Sequence, residues 1–286
     1  MHVKHLALVP LLCAALLLSA CGEAAEPSEE LLSTQSLSAD LDGDGQEETV
    51  EYSVISRDGA LGSHCRLSID GVSVDESLAE QGFNAVNVHA ECAAVDIDAS
   101  DGYIELAVLE DGQSADYCTN FIRFDGEGAV YLGRVPGLIG DTGYFPVTVN
   151  GDGSVSASIL SGVLQNWAFA ADYVLTDSGL ELVEQDFYTD ERYKTADKET
   201  LIDIFAYDAP DGGAERQVIK AGTVLSIYGE GGSWDADEGE HGAWALAEDA
   251  SGAQYYLKVR ELSEIEDAAG AWVEATDAIS GLSLHG

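Results

Sequence analysis

The chain has 286 residues, with 53 acids against 12 bases, a formal net charge of −41 and 46% hydrophobic residues. Such a surface repels nucleic acid and anionic lipid and attracts divalent cations and basic partners, so no nucleic-acid partner is expected. The length suffices for one large or two modest domains with true cores.

His2 and Lys4 precede an apolar run over residues 6–18, and Leu18-Ser19-Ala20-Cys21-Gly22 follows. A basic start, a short apolar run and small residues are the order of a secretion signal, and the run is too short to span a membrane as a helix. The residues before Gly22 resemble the lipobox of bacterial lipoproteins. That resemblance implies removal of residues 1–20 and acylation of Cys21, which would anchor the chain to the membrane on its extracytoplasmic side. The plain alternative is an ordinary signal peptide with an incidental cysteine. Residues 21–37 are rich in Ala, Glu and Ser and read as a flexible acidic tether.

The next stretch organises the chain: Asp40-Leu41-Asp42-Gly43-Asp44-Gly45-Gln46-Glu47-Glu48. Carboxylates at its first, third and fifth positions, a glycine at the sixth and an acid at the ninth follow the grammar of a calcium loop. The odd positions turn Asp40, Asp42 and Asp44 into one pocket, Gly45 permits a sharp turn, and Glu48 closes the cage. The bland alternative is an acidic, solvated turn. Glu51 stands where an EF-hand places its last ligand, but residues 49–55 alternate and are β-branched, so a strand follows rather than a helix.

A related stretch, Asp96-Ile97-Asp98-Ala99-Ser100-Asp101-Gly102-Tyr103-Ile104-Glu105, begins 56 residues after Asp40. With one inserted residue, Asp101-Gly102 aligns with Asp44-Gly45 and Glu105 with Glu48. Asp96, Asp98, Asp101 and Glu105 are therefore a weaker second calcium site. A fainter echo, Asn150-Gly151-Asp152-Gly153, lacks the closing acid and reads as a hairpin turn. A period near 55 suggests sheet-based units packed side by side. Strands are expected over residues 65–71, 106–109, 117–124, 129–133, 144–149, 155–160 and 167–175, which makes the segment all-β.

Residues 38–190 resemble the calcium-loop repeats of the FG-GAP and VCBS type, which build the blades of integrin-α-like β-propellers. With Asp116-Tyr117 and Phe121-Ile122-Arg123-Phe124-Asp125-Gly126, the same stretch is similar to secreted proteins of Gram-positive bacteria. The resemblance implies calcium ligation by the side chains of Asp40, Asp42, Asp44 and Glu48 and by the Gln46 carbonyl, on a scaffold that binds more than it catalyses. Two or three repeats are fewer than a ring needs, so a partial, propeller-like assembly of antiparallel sheets over residues 38–193 is expected.

Short strands with turns over residues 199–260 describe a small barrel. Lys220-Ala221-Gly222-Thr223-Val224, Trp244 and Gly252 resemble a bacterial SH3-like (SH3b) domain, with Tyr255-Tyr256 where that family has a late tryptophan. Residues 261–286 form a C-terminal extension, with a short amphipathic helix around residues 261–269.

Cys65, Cys92 and Cys118 allow one disulfide at most, and their spacings match no zinc motif. His64, His89, His241 and His285 are scattered, and no nucleophile or phosphate-loop motif is present. Trp234, Trp244 and Trp272 are candidates for core packing or for a groove. The expected function is that of a membrane-anchored, extracytoplasmic, calcium-binding lipoprotein, a non-catalytic module facing a cell-wall or surface protein or glycan. The alternative is an extracellular hydrolase of cell-wall or polysaccharide substrates using a carboxylate pair.

Overall fold

The computed structural model describes residues 29–57, 60–112, 116–140, 145–210, 214–232 and 242–283. The signal segment, Cys21, Trp234, His241 and His285 lie outside them.

Alternation builds the first sheet. Strands β1 (Glu29–Ala39), β2 (Glu48–Arg57), β3 (Ser63–Ile69) and β4 (Val72–Ser73) pair antiparallel in chain order. Val50, Tyr52 and Val54 are buried along one face of β2 while Glu51 is exposed, the period of two that its β-branched residues announce. Asp70 and Gly71, at φ 49° and 75°, make the two-residue turn between β3 and β4, a left-handed pair that glycine accommodates at its second position. A short helix α1 (Asp75–Glu80) follows and buries Leu78.

Residues 29–39, assigned mostly to a flexible tether, are strand β1 instead. Ser33, Gln35 and Leu37 are half-buried alternately with exposed neighbours. The Gln35 side chain donates to the Cys92 carbonyl (3.0 Å) and accepts from its N–H (2.7 Å). A tether-like composition concealed a strand pattern.

The second sheet is β5 (Val88–Val95), β6 (Glu105–Glu110), β7 (Cys118–Phe124) and β8 (Ala129–Pro136), again in chain order. The third comprises β9 (Leu138–Ile139), β10 (Pro146–Val149), β11 (Ser154–Ser161), β12 (Trp167–Thr176) and β13 (Gly179–Leu182); only β9 and β10 pair in parallel. Each interval between consecutive sheets holds its own core. Leu41, Tyr52, Leu67, Leu106, Val108 and Ile122 fill the first, and Ala107, Phe121, Leu132, Val135, Val147 and Val155 the second. Strand β6 therefore sends Leu106 and Val108 to one core and Ala107 to the other, which is why its sequence is apolar without interruption.

The last sheet is branched. It contains β14 (Phe187–Thr189), β15 (Lys198–Thr200), β16 (Ile204–Tyr207), β17 (Arg216–Ile219), β18 (Val224–Gly231), β19 (Gly242–Asp249), β20 (Gln254–Arg260), β21 (Glu264–Glu266), β22 (Trp272–Glu274) and β23 (Ile279–Ser280). The fold is thus all-β, built of several largely antiparallel sheets, none of which closes into a barrel. The strands expected as a small barrel over residues 199–260 belong to this wider sheet. They also share a core with the third sheet, where Val163, Leu164, Trp167 and Phe169 pack with Ile204, Leu225, Ile227 and Leu257. The helix expected around residues 261–269 is replaced by strand β21 and a turn. Glu261 and Leu262 sit at φ 46° and 65°, outside the right-handed helical region. A second short helix, α2 (Ala275–Ala278), lies before β23.

Trp244 is fully buried edge-on to Tyr207, and Trp272 carries the Arg260 guanidinium 4.8 Å above its ring. Both contacts are internal packing. Cys65, Cys92 and Cys118 are free thiols.

Candidate metal centre

The loop between β1 and β2 is pinned by Leu41, which is fully buried in the core between the first two sheets. The acids on either side of it, Asp40 and Asp42, meet Glu48 at the start of β2. One carboxylate oxygen from each lies within 4.8 Å of the others. Among the described residues this is the one group of three acidic, histidine or cysteine ligands that converges.

Each acid is held by backbone donors. Glu48 is buried and its Oε2 accepts from the Leu41 N–H at 2.7 Å. Asp40 Oδ2 accepts from Gly45 N–H and Asp42 Oδ1 from Asp44 N–H, both at 3.0 Å. Asp40 Oδ1 is buried with no donor at all. Asp44 does not join the group. Asp44 instead accepts from the Gln46 backbone N–H (2.7 Å) and side-chain amide (2.8 Å) on the exposed side of the loop.

Two carboxylates at about 4.8 Å repel by ~1 kcal/mol in water and by ~3 kcal/mol at an effective dielectric of 20. A hard divalent cation with oxygen ligands removes that repulsion and supplies the partner that Asp40 Oδ1 lacks. The donor set therefore fits calcium chemically. The second sheet closes over it: a Cβ on Gly126, in the turn between β7 and β8, would stand 2.6 Å from Asp42 Oδ2. The site sits on the joint between two sheets.

The second loop, between β5 and β6, repeats three of these hydrogen bonds. Ile97, fully buried like Leu41, donates its N–H to Glu105 Oε2 at 3.0 Å. Ser100 N–H donates to Asp98 Oδ1 (3.0 Å) and Tyr103 N–H to Asp101 Oδ1 (2.9 Å), as Asp44 and Gln46 do to Asp42 and Asp44. The loops also touch. Ile104 N–H donates to the Leu41 carbonyl at 3.0 Å, and Gly153 N–H, from the Asn150–Gly153 turn joining β10 to β11, donates to the Ile97 carbonyl at 2.8 Å.

The acids of the second loop differ. Asp96, Asp98, Asp101 and Glu105 do not converge as a ligand group, and Arg123 of β7 binds two of them. Its guanidinium donates to the fully buried Glu105 through Nε at 2.8 Å and again through Nη2, and pairs with Asp101 at 2.7 Å. It also lies 4.3 Å over the Tyr103 ring. Burial opposes the charge on Arg123, yet its bonds to Glu105 and Asp101 leave its pKa raised. Bonds from the Ser100 hydroxyl and N–H hold Asp98 below the usual carboxylate range, with Arg123 adding to the effect. The spacing of the acids does not point to Arg123. Its role becomes visible only when the β6–β7 register sets it beside Glu105.

The largest cavity described, about 510 Å³, lies elsewhere, with Glu110, Asp116, Tyr117, Cys118, Arg134 and Phe145 on its wall. Glu110 there accepts from Val86 N–H at 2.7 Å and faces Arg134 at 3.6 Å. His89, by contrast, is paired with Asp111 at 2.7 Å.

Comparison of the chain with known protein families, with curated proteins and with solved structures returned no match.

Proposed function

We propose that the chain is an extracytoplasmic, calcium-binding lipoprotein, anchored through Cys21, that serves as a non-catalytic binding module at the cell surface. Calcium is held by Asp40, Asp42 and Glu48, with Asp44 and the Gln46 carbonyl completing the shell once the ion draws the loop together. What carries the reading is the convergence of three carboxylates at the joint of two sheets, one of them with a buried oxygen that no protein group satisfies. The propeller-like relation to FG-GAP and VCBS repeats is part of the same proposal. It draws on the hydrogen bonds common to the first two loops and on the way consecutive sheets pack in chain order. The role of the ion is structural: it ties the first sheet to the second and makes folding respond to external calcium.

Thermal unfolding in millimolar calcium and in EGTA tests this. A ligand present at a hundred times its dissociation constant stabilises the folded state by ~2.7 kcal/mol. For a chain of this size that is an upward shift of roughly 5–11 °C. Asp42→Asn should abolish most of the shift while leaving the melting point in EGTA within ~2 °C of the parent. Superimposable wild-type curves in calcium and EGTA would refute the reading.

A further inference from the structure

The first two loops share three hydrogen bonds but not their charge balance. The strand registers locate the difference. Val50 pairs with Ile69 where the β2–β3 ladder ends, and Asp70-Gly71 then turns the chain into β4, so no residue of β3 pairs with Glu48. Leu106 pairs with Ile122 across β6 and β7, and the adjacent step sets Glu105 opposite Arg123. Glu48 and Glu105 occupy the same place in their loops, each accepting from the N–H of the buried residue that opens it. A guanidinium faces Glu105 in the second sheet, whereas in the first the β3 ladder stops short of Glu48. Space around Gly71 is open.

We propose that Arg123 is the resident cation of the second loop, neutralising there the buried glutamate whose counterpart, Glu48, a divalent ion neutralises in the first. The inference rests on the proposed reading of the first loop for its comparison, but it can be tested apart from it. Arg123 supplies a positive charge to Glu105 and Asp101, donates to both, and is covered by the Tyr103 ring. The charges of Glu105 and Asp101 are thereby balanced without metal. Dependence on external calcium is confined to the joint between the first and second sheets. Asp96 Oδ1 is buried without a donor, as Asp40 Oδ1 is. The second loop keeps the oxygen that an ion would satisfy, although the guanidinium has neutralised its neighbours.

The experiment removes one cation and asks whether another replaces it. Calcium binding is measured by equilibrium dialysis at physiological ionic strength, and melting points are read in calcium and in EGTA, for the full-length wild type, R123Q, D42N and the D42N/R123Q double variant. The expected stoichiometry of tight binding is one ion for wild type, two for R123Q, none for D42N and one for the double variant. The double variant should regain a calcium-induced shift of several degrees that D42N lacks. R123K, which keeps the charge, should remain at the wild-type count. If R123Q is unfolded in EGTA, the refolding of D42N/R123Q, which lacks the first site, on adding millimolar calcium is the same positive result. Failure to refold overturns the proposal, as does a double variant with no bound ion. A wild type that binds nothing while R123Q binds one ion would sink the reading of the first loop and leave this one standing.

Discussion

A methyl group at Gly126 would meet Asp42 Oδ2 at 2.6 Å, and the residue sits at φ +86°, where any side chain is strained. Gly126→Ala should therefore cost ~1–2 kcal/mol from the backbone alone. Because the atom it strikes ends a flexible side chain, Asp42 would turn aside. The variant should weaken calcium binding at least tenfold by dialysis without altering any ligand. Unchanged affinity would mean that Asp42 does not face the ion. Glu230 offers a second test of buried charge. Burial raises its carboxyl above the ordinary value of 4.5, despite the bonds it accepts from the Ser161 hydroxyl and the Val163 N–H. A raised carboxyl contributes stability that is fully present below the unfolded value and is lost as pH rises through the folded one. Glu230→Gln should accordingly match wild type near pH 4 and exceed it in stability at pH 7. Melts of the two proteins across that range would show the gap opening with pH; a constant gap would assign the effect to packing.

Cys65 on β3 and Cys92 on β5 lie in or against the core between the first two sheets, and burial pushes both thiols up to about 12. At pH 8 the native protein should alkylate slowly at both. If the ion holds this joint, chelation should speed their alkylation at least tenfold, while Cys118, on the wall of the 510 Å³ cavity, changes little. Mass spectrometry of each cysteine reads the outcome, and equal acceleration at all three would indicate global rather than local opening. The same joint shows what was legible in the chain. Strands β2 and β3 and the Asp70-Gly71 turn that ends β3 follow from alternation and turn chemistry, as does the first loop from its spacing of acids. Strand β1 was hidden by a composition that favours disorder, and α1 rests on only Val74 and Leu78 one turn apart. Asp44 fits the loop grammar, yet its carboxylate is taken up by the Gln46 N–H and side-chain amide. Arg123 is 18 residues from Glu105, and no local pattern joins them before the sheet exists.

Across the whole molecule the sheets stand in series, each boundary sealed by one core. Trp167 is fully buried where the third sheet meets the last, stacked on Phe169 and edge-on to Tyr193. Trp167→Ala should cost ~3–5 kcal/mol, and a single cooperative melt of the variant would show that the C-terminal strands do not unfold as an independent module. The serial arrangement also bears on synthesis. The first sheet is complete by Ser73, but the face it must cover is not finished until strand β8, which begins at Ala129, has been made. At ~5–20 residues per second, the apolar side of β2 and β3 waits on the order of 3–11 s for its cover. The second and third sheets wait likewise for their successors, and the last core closes only with Ile279. A nascent chain of this design always carries one uncovered sheet at its growing end, so the cell must shield each in turn until the final strand arrives.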